Sequence, residues 1–255
     1  MHASPHKTND PRKAPIISIH IVERFIVSLT HHRFGETTRI GSNMRKTVDV
    51  AITSDLICPW CWVGLRKLQE AAKLANVEPH ITWKPFLLRP TTPDEGTPKD
   101  GTPESRVPTH LKHAGETVGI QFTGLTDRTP NTQLFHATMK LLQDDVKDPT
   151  DLALVTKFHE AAFEGYFSLG VFPDRNGLLE AARKVNDPRL IERIDKLYKN
   201  DERLAELKQE ICKEAVEASR RGVTGVPSFE FNGQPAFSGA QSVEMFTNYL
   251  NRYAK

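Results

Sequence analysis

Cysteine is scarce, at three in 255 residues, which excludes a small secreted scaffold stapled by disulfides. Long apolar runs are missing, so there is no candidate for a bilayer-spanning helix. Neither sign of charge predominates: 34 Lys+Arg stand against 32 Asp+Glu, which argues against a strongly basic nucleic-acid binder and a strongly acidic chain. No Gly-rich phosphate loop, Ser-His-Asp order, basic–aromatic stripe, internal repeat or low-complexity run stands out. What remains is an ordinary globular composition, 38% hydrophobic and 26% charged, long enough for one large domain or two small ones with a substantial core. No nucleic-acid partner and no membrane span are expected, and nothing in the sequence fixes an oligomeric state.

The near-neutral total hides an uneven distribution. Through Asn43 there are six basic and three acidic residues, with five of the ten His, so the excess of positive charge belongs to that segment and the remainder is slightly acidic. Its apolar stretch Ile16 to Leu29 is interrupted by His20, Glu23 and Arg24, unlike a secretory signal. Residues 1–45 read as an extension, disordered or targeting, of a body whose pattern opens at about Met44. The expected location is cytoplasmic, with organelle import through the basic extension as the alternative.

In the body, Val48, Val50 and Ile52 alternate with polar or small residues, which predicts a strand. Cys58-Pro59-Trp60-Cys61 follows, then Leu65, Leu68, Ala72 and Ala75 at helical spacing to about Asn76, with Pro59 suited to a first helical turn. A short loop and a second strand, Ile81 to Lys84, complete strand–helix–strand. The stretch from Pro79 to Pro108 holds seven prolines and reads as a loop. Helical stripes follow to about Asn200: Leu134, Thr138 and Leu141; Leu152, Val155, Phe158 and Ala162; Leu178, Ala182 and Val185. Asp201 to Arg221 is a long amphipathic helix stopped by Gly222. Asn232-Gly233 between two short apolar runs predicts a hairpin, and Val243, Phe246, Leu250 and Tyr253 mark a last helix.

Two cysteines three apart at a helix start can close a disulfide across one turn. The unpaired N–H groups of that turn favour a thiolate at the first, so Cys58 is the candidate nucleophile and Cys61 the resolving thiol. Half a zinc site is the bland alternative, but zinc needs four ligands. Only Cys212 remains, far away, with His110 and His113 in a polar stretch, so no metal is expected.

The segment Ser54 to Gly64, SDLICPWCWVG, resembles the active-site segment of the DsbA-like thioredoxin family, and of its FrnE-type branch in particular. Ile81 to Phe86, Pro130-Asn131-Thr132, Gly222 to Pro227 and Phe237 to Gln241 support the likeness, which runs from about Lys46 to the C-terminus. It implies an α/β, thioredoxin-like fold with an all-helical insertion between its N-terminal and C-terminal halves: residues 46–102 and 200–255 for the thioredoxin-like domain, 103–199 for the insertion. It implies thiol–disulfide exchange on cysteine-containing protein or peptide substrates through Cys58 and Cys61, with no required cofactor and glutathione as an optional co-substrate. Pro227 lies where such folds carry a cis-proline, which leaves Val226 to pair with an extended substrate. Pro59, Trp60 and, by likeness to glutathione-using relatives, Asn131 are further candidate contacts.

The same family includes glutathione-dependent isomerases and transferases, the 2-hydroxychromene-2-carboxylate isomerases and kappa-class transferases. These resemble this chain but usually carry Ser at the Cys58 position, so the intact pair favours redox chemistry. A peptide-binding holdase using the groove at Val226 is the non-enzymatic alternative. Strong oxidants of the family carry His where this chain has Trp60, so a weaker oxidant is expected. Asp55 is an auxiliary candidate, as a proton acceptor or, preferably, as a cap on the helix or the turn leading into it. Asn131 with Thr132 also fits a plain helix start. Trp60, Trp62, Phe86 and Phe237 are candidates for an apolar groove, with core packing preferred for Trp62 and Phe86. His136 and His159 are expected to be packed or half-exposed on their helices rather than catalytic, and Cys212 to be a small buried core residue.

Overall fold

The computed structural model describes residues 45–255; the expectations for the N-terminal extension lie outside them. Strand β1 (Lys46–Ser54) alternates as its sequence demands, and its last three residues, Ile52 to Ser54, are all buried. Helix α1 (Pro59–Ala75) starts with Pro59 in its first turn and buries Val63, Leu65 and Leu68. Burial of side chains of this kind contributes about 1.5–3 kcal/mol each. Asn76, at φ 51°, ends the helix in a left-handed conformation, which Asn tolerates better than most residues.

Strand β2 (Val77–Pro85) follows at once, parallel to β1. This is longer than the expected Ile81 to Lys84: Asn76 alone replaces the expected loop. Pro79 is accommodated because β2 is an edge of the sheet, where one face of the ladder needs no donors. The irregular stretch therefore begins only after Pro85. It contains a two-residue strand β3 (Thr97–Pro98) and leads to α2 (Thr109–Glu116).

The predicted stripes become α3 (Gln133–Asp144), α4 (Pro149–Phe167) and α5 (Arg175–Val185), with α6 (Pro188–Tyr198) added after the break at Pro188. Asp148 and Asp187 cap α4 and α6 through their carboxylates, each just before a first-turn proline. The insertion between the halves is helical, with one small addition, the two-residue strand β4 (Arg128–Thr129) paired with β3.

Helix α7 (Asp201–Arg220) returns to β5 (Ser228–Phe231) and β6 (Gln234–Ser238), joined through Asn232 and Gly233, both at positive φ. Helix α8 (Val243–Tyr253) packs on α1, while α3, α4 and α7 pack against β2.

The main sheet runs β2-β1-β5-β6, with β5 antiparallel to β1. That register positions the site. Thr53 faces Ser228, so the residues after the end of β1 and those before the start of β5 meet at one edge of the sheet. The loop leaving β2 arrives there too, because Ser54 pairs with Pro85 and Phe86 N–H donates to Ser54 O at 3.1 Å.

Candidate active site

Cys58 is the N-cap of α1, and no side chain caps that end. The cap position is held instead by backbone turns: Cys58 N–H donates to Asp55 O and Cys61 N–H to Cys58 O, each at 3.0 Å. Both cysteines are free thiols. Cys58 keeps 7% of its surface exposed, whereas Cys61 keeps none.

Their environments drive the two thiols apart. The Cys61 thiol hydrogen-bonds to the Cys58 sulfur and lowers the Cys58 pKa from its ordinary 9.0; burial opposes this, and the N–H groups of Cys61 and Trp60 reinforce it. The Asp55 carboxylate works against the thiolate. Cys61 is pushed well above 9.0, first by burial and then by its neighbour Cys58, with a hydrogen bond from Ser54 as partial relief. One thiol is thus prepared to ionise and the other to stay protonated.

Two segments distant in sequence close the site. The Cys58 thiol donates to Val226 O at 3.3 Å, and the Val226–Pro227 bond is cis. Gly64 permits the approach: a Cβ there would meet Pro227 Cγ and Phe229 Cζ at 3.2 Å. On the opposite side Ile57, Pro59 and Trp60 line a cavity of about 390 Å³. Trp60 stacks on His110, ring centroids 6.0 Å apart.

Behind Cys61 lies a buried polar group. Ser54 Oγ and His159 Nε2 share a hydrogen bond at 3.3 Å, and His159 is sandwiched between Trp83 and Phe163, with centroids 3.5 and 4.4 Å away. Burial, then the charge of His136, hold His159 well below the usual histidine pKa, so it is neutral. His136 Nε2 lies 3.5 Å from Asp55 Oδ1.

Asp55 itself is fully buried: its carboxylate accepts the Ile57 N–H at 3.5 Å, in the turn leading into α1, and the Leu88 N–H at 2.7 Å, a partner the sequence did not announce. It ties the loop after β2 to the approach to α1. Asn131 is half-buried just before α3. Its Nδ2 donates to Thr92 O and Asp94 Oδ1, and its Oδ1 accepts the Gln133 N–H, so both ends of the amide brace the start of α3.

Of the four aromatic candidates, only Trp60 lines the cavity beside the cysteines. Trp62 packs among Phe122, Phe163 and Phe167; Phe86 is buried; Phe237 packs on Phe229 and Phe246. His136 and His159 are buried, in keeping with packed residues. Cys212 is not the expected core residue. It is half-buried on α7 and lines a separate cleft of about 770 Å³, to which neither Cys58 nor Cys61 contributes.

Sequence reasoning missed Ser54, whose only signal was its place at the end of β1, and three cations, Arg89, Lys99 and Arg106, that line the cavity at Trp60. Among the described residues no helix is long and apolar enough to cross a membrane, and no three His, Cys, Asp or Glu are grouped as metal ligands.

The family model described as DSBA-like thioredoxin domain matches residues 49–251. Among solved structures, the probable DsbA oxidoreductase SCO1869 from Streptomyces coelicolor is similar at TM-score 0.62 and 23% identity, over 81% of this chain and 89% of that one. The cytosolic disulfide reductase DsbM from Pseudomonas aeruginosa with GSH is similar at TM-score 0.51 and 16% identity, over 80% and 98%. A 2-hydroxychromene-2-carboxylate isomerase gives TM-score 0.53 and 15% identity, over 80% and 95%. At these identities the likeness is one of fold. The uncharacterized protein YwbO of Bacillus subtilis (strain 168) is 44% identical over 45 residues, 18% of this chain and about a fifth (22%) of that protein's length.

Proposed function

Since the chain belongs to the DSBA-like thioredoxin domain family, we propose that it is a protein-disulfide oxidoreductase in which Cys58 is the nucleophile and Cys61 the resolving thiol. The observation that carries this reading is the opposed environment of the pair: a slightly exposed cysteine whose thiolate is favoured, one turn from a fully buried one whose ionisation is opposed.

The Cys58 thiolate attacks one sulfur of a substrate disulfide. A Cys58–substrate disulfide forms and the other substrate sulfur leaves as thiolate. Cys61 then loses its proton and attacks the Cys58 sulfur. The Cys58–Cys61 disulfide forms, the second substrate thiolate leaves, and two electrons have passed from dithiol to substrate. The reverse sequence oxidises a substrate dithiol. Val226 O borders Cys58, and the backbone of Val226 offers an extended cysteine-containing peptide an edge to pair with. Pro59 and Trp60 form the other wall, and Pro227 holds the Val226 loop against α1. No metal or organic cofactor takes part, and glutathione serves as a small co-substrate.

Trp60 brings no charge to the Cys58 thiolate, and Asp55 opposes it. The protein is therefore a weaker oxidant than relatives with His there, with a reduction potential more negative than about −120 mV. Electron flow then favours reduction or isomerisation of disulfides in a reducing compartment such as the cytoplasm.

The test is insulin reduction and scrambled-ribonuclease reactivation by the wild type and by Cys58→Ser. Both activities are expected in the wild type and neither in the variant. Activity surviving in the variant contradicts the mechanism, and a glutathione-dependent isomerisation that survives it supports the isomerase chemistry instead.

A further inference from the structure

The cavity beside Trp60 carries a charge pattern that the exchange mechanism does not use. Its walls include Pro59 and Trp60 on one side and Arg89, Lys99, Arg106 and Tyr166 on the others, and no Asp or Glu lines it. Three cations converging without a carboxylate repel one another, a cost that an incoming anion removes.

The three are held in different ways. Arg106 is fixed: its Nε donates to Asp100 O at 3.3 Å, Nη1 to Gly124 O at 3.3 Å and Nη2 to Lys99 O at 3.4 Å. Every one of these acceptors is a neutral carbonyl, so the guanidinium charge is anchored but not neutralised. Lys99 Nζ donates to Thr126 O at 3.4 Å and lies over the Tyr166 ring, 4.7 Å from its centroid. Arg89 has no carboxylate partner among the described residues and is exposed.

Lys99 records the excess charge. Its pKa falls to about 8, through burial first and then the Arg106 charge, with Arg89 adding to the fall and Asp127 opposing it. Tyr166, pushed up by burial, stays neutral. His110, also lining the cavity, completes the titratable groups on its walls.

We propose that this cavity is an anion subsite of the exchange reaction, in which Arg89, Lys99 and Arg106 receive a carboxylate of a small carboxylate-bearing disulfide or thiol whose sulfur lies at Cys58. The proposal rests on the exchange reading and names its substrate class. At about 390 Å³ the cavity has the size of a small-ligand site rather than of a protein-docking surface. Ile57 and Pro59, the residues on either side of Cys58, both line it, so a ligand seated there lies beside the start of α1. An ion held there favours protonated Lys99, so binding near pH 8 takes up protons. Affinity falls as the pH rises above about 8 and Lys99 loses its charge.

Two experiments test this. In the first, reduced protein is oxidised in single turnover by dithiodipropionate and by the neutral hydroxyethyl disulfide, and each rate is divided by that of free dithiothreitol with the same reagent. The dicarboxylate is expected to be preferred by about tenfold, the scale of one charge-assisted hydrogen bond. Arg89→Gln and Lys99→Gln each lower that preference severalfold, while Lys73→Gln, far from the cavity at the end of α1, leaves it unchanged. Glutathione disulfide is expected to share the preference. A ratio near one, unmoved by the substitutions, overturns the subsite.

In the second, the unreactive thioether thiodipropionate is titrated by calorimetry in buffers of different ionisation enthalpy. Binding with proton uptake near pH 8, weakened in Lys99→Gln, supports the subsite. No binding to the wild type overturns it even if the disulfides react. If neither disulfide oxidises the dithiol, the exchange reading falls, and the thioether titration still decides the subsite by itself.

Discussion

The two sides of the Cys58–Cys61 turn are built in opposite ways. Behind Cys61 the protein is closed: Ser54, His159 and the buried Asp55 are enclosed by α3, α4 and the sheet. In front of Cys58 it is open and cationic, with a cavity walled by Trp60 and three basic side chains and with the Val226 carbonyl alongside. The side chains are chemically identical and three residues apart. Their environments favour ionisation of Cys58 and oppose that of Cys61. In the proposed mechanism that difference sets the order in which the pair acts, and the order can be disturbed from either side.

The largest effect is expected from the cysteines themselves. Cys58→Ser reduces exchange to background. Cys61→Ser completes the first step and then stalls, so mass spectrometry after incubation with glutathione disulfide finds a mixed disulfide on Cys58. A mixed disulfide on Cys61 in Cys58→Ser would reverse the assignment. Next comes Gly64→Val, whose added atoms press on Pro227 and Phe229. Overpacking of this kind costs about 1–3 kcal/mol, read by urea denaturation, and it moves Val226 from Cys58, so exchange slows as well.

Ser54→Ala attacks the closed side. It strips His159 Nε2 of its partner at a cost of about 1–3 kcal/mol, and it removes the hydrogen bond that moderates the Cys61 pKa. Resolution of the mixed disulfide slows while its formation does not, a separation visible in stopped-flow kinetics. The smallest effect is that of Trp60→His. A charged imidazole beside Cys58 favours the thiolate and hence the reduced form, so the glutathione equilibrium shifts toward a more oxidising protein by roughly 30 mV for each 1.4 kcal/mol gained. A shift in the other direction would break the link between front-side charge and thiolate stability.

Much of the arrangement was legible because it follows from periodic patterns. The alternation of Val48, Val50 and Ile52, the spacing of Leu65, Leu68 and Ala72, and Asn232-Gly233 mark elements whose register brings Pro227 to the end of β1. The missed parts share a different cause. Arg89, Lys99 and Arg106 come from the proline-rich stretch after β2, where no period relates one residue to the next and only the folded loop brings the three together. Asp55 read as a cap on the turn leading into α1, and its carboxylate does accept the Ile57 N–H there. Its shorter bond, which no local pattern announces, is to the Leu88 N–H, 33 positions away. Cys212 follows Ile211 on an apolar-looking helix, but α7 turns it toward a cleft rather than into the core.

The most direct test of the account is the pH dependence of alkylation of the reduced protein by iodoacetamide, with the modified cysteine identified by mass spectrometry. Cys58 is expected to react first, with its rate rising through an apparent pKa below the ordinary 9.0, while Cys61 stays unmodified. Equal labelling of both cysteines, or earlier labelling of Cys61, would contradict it.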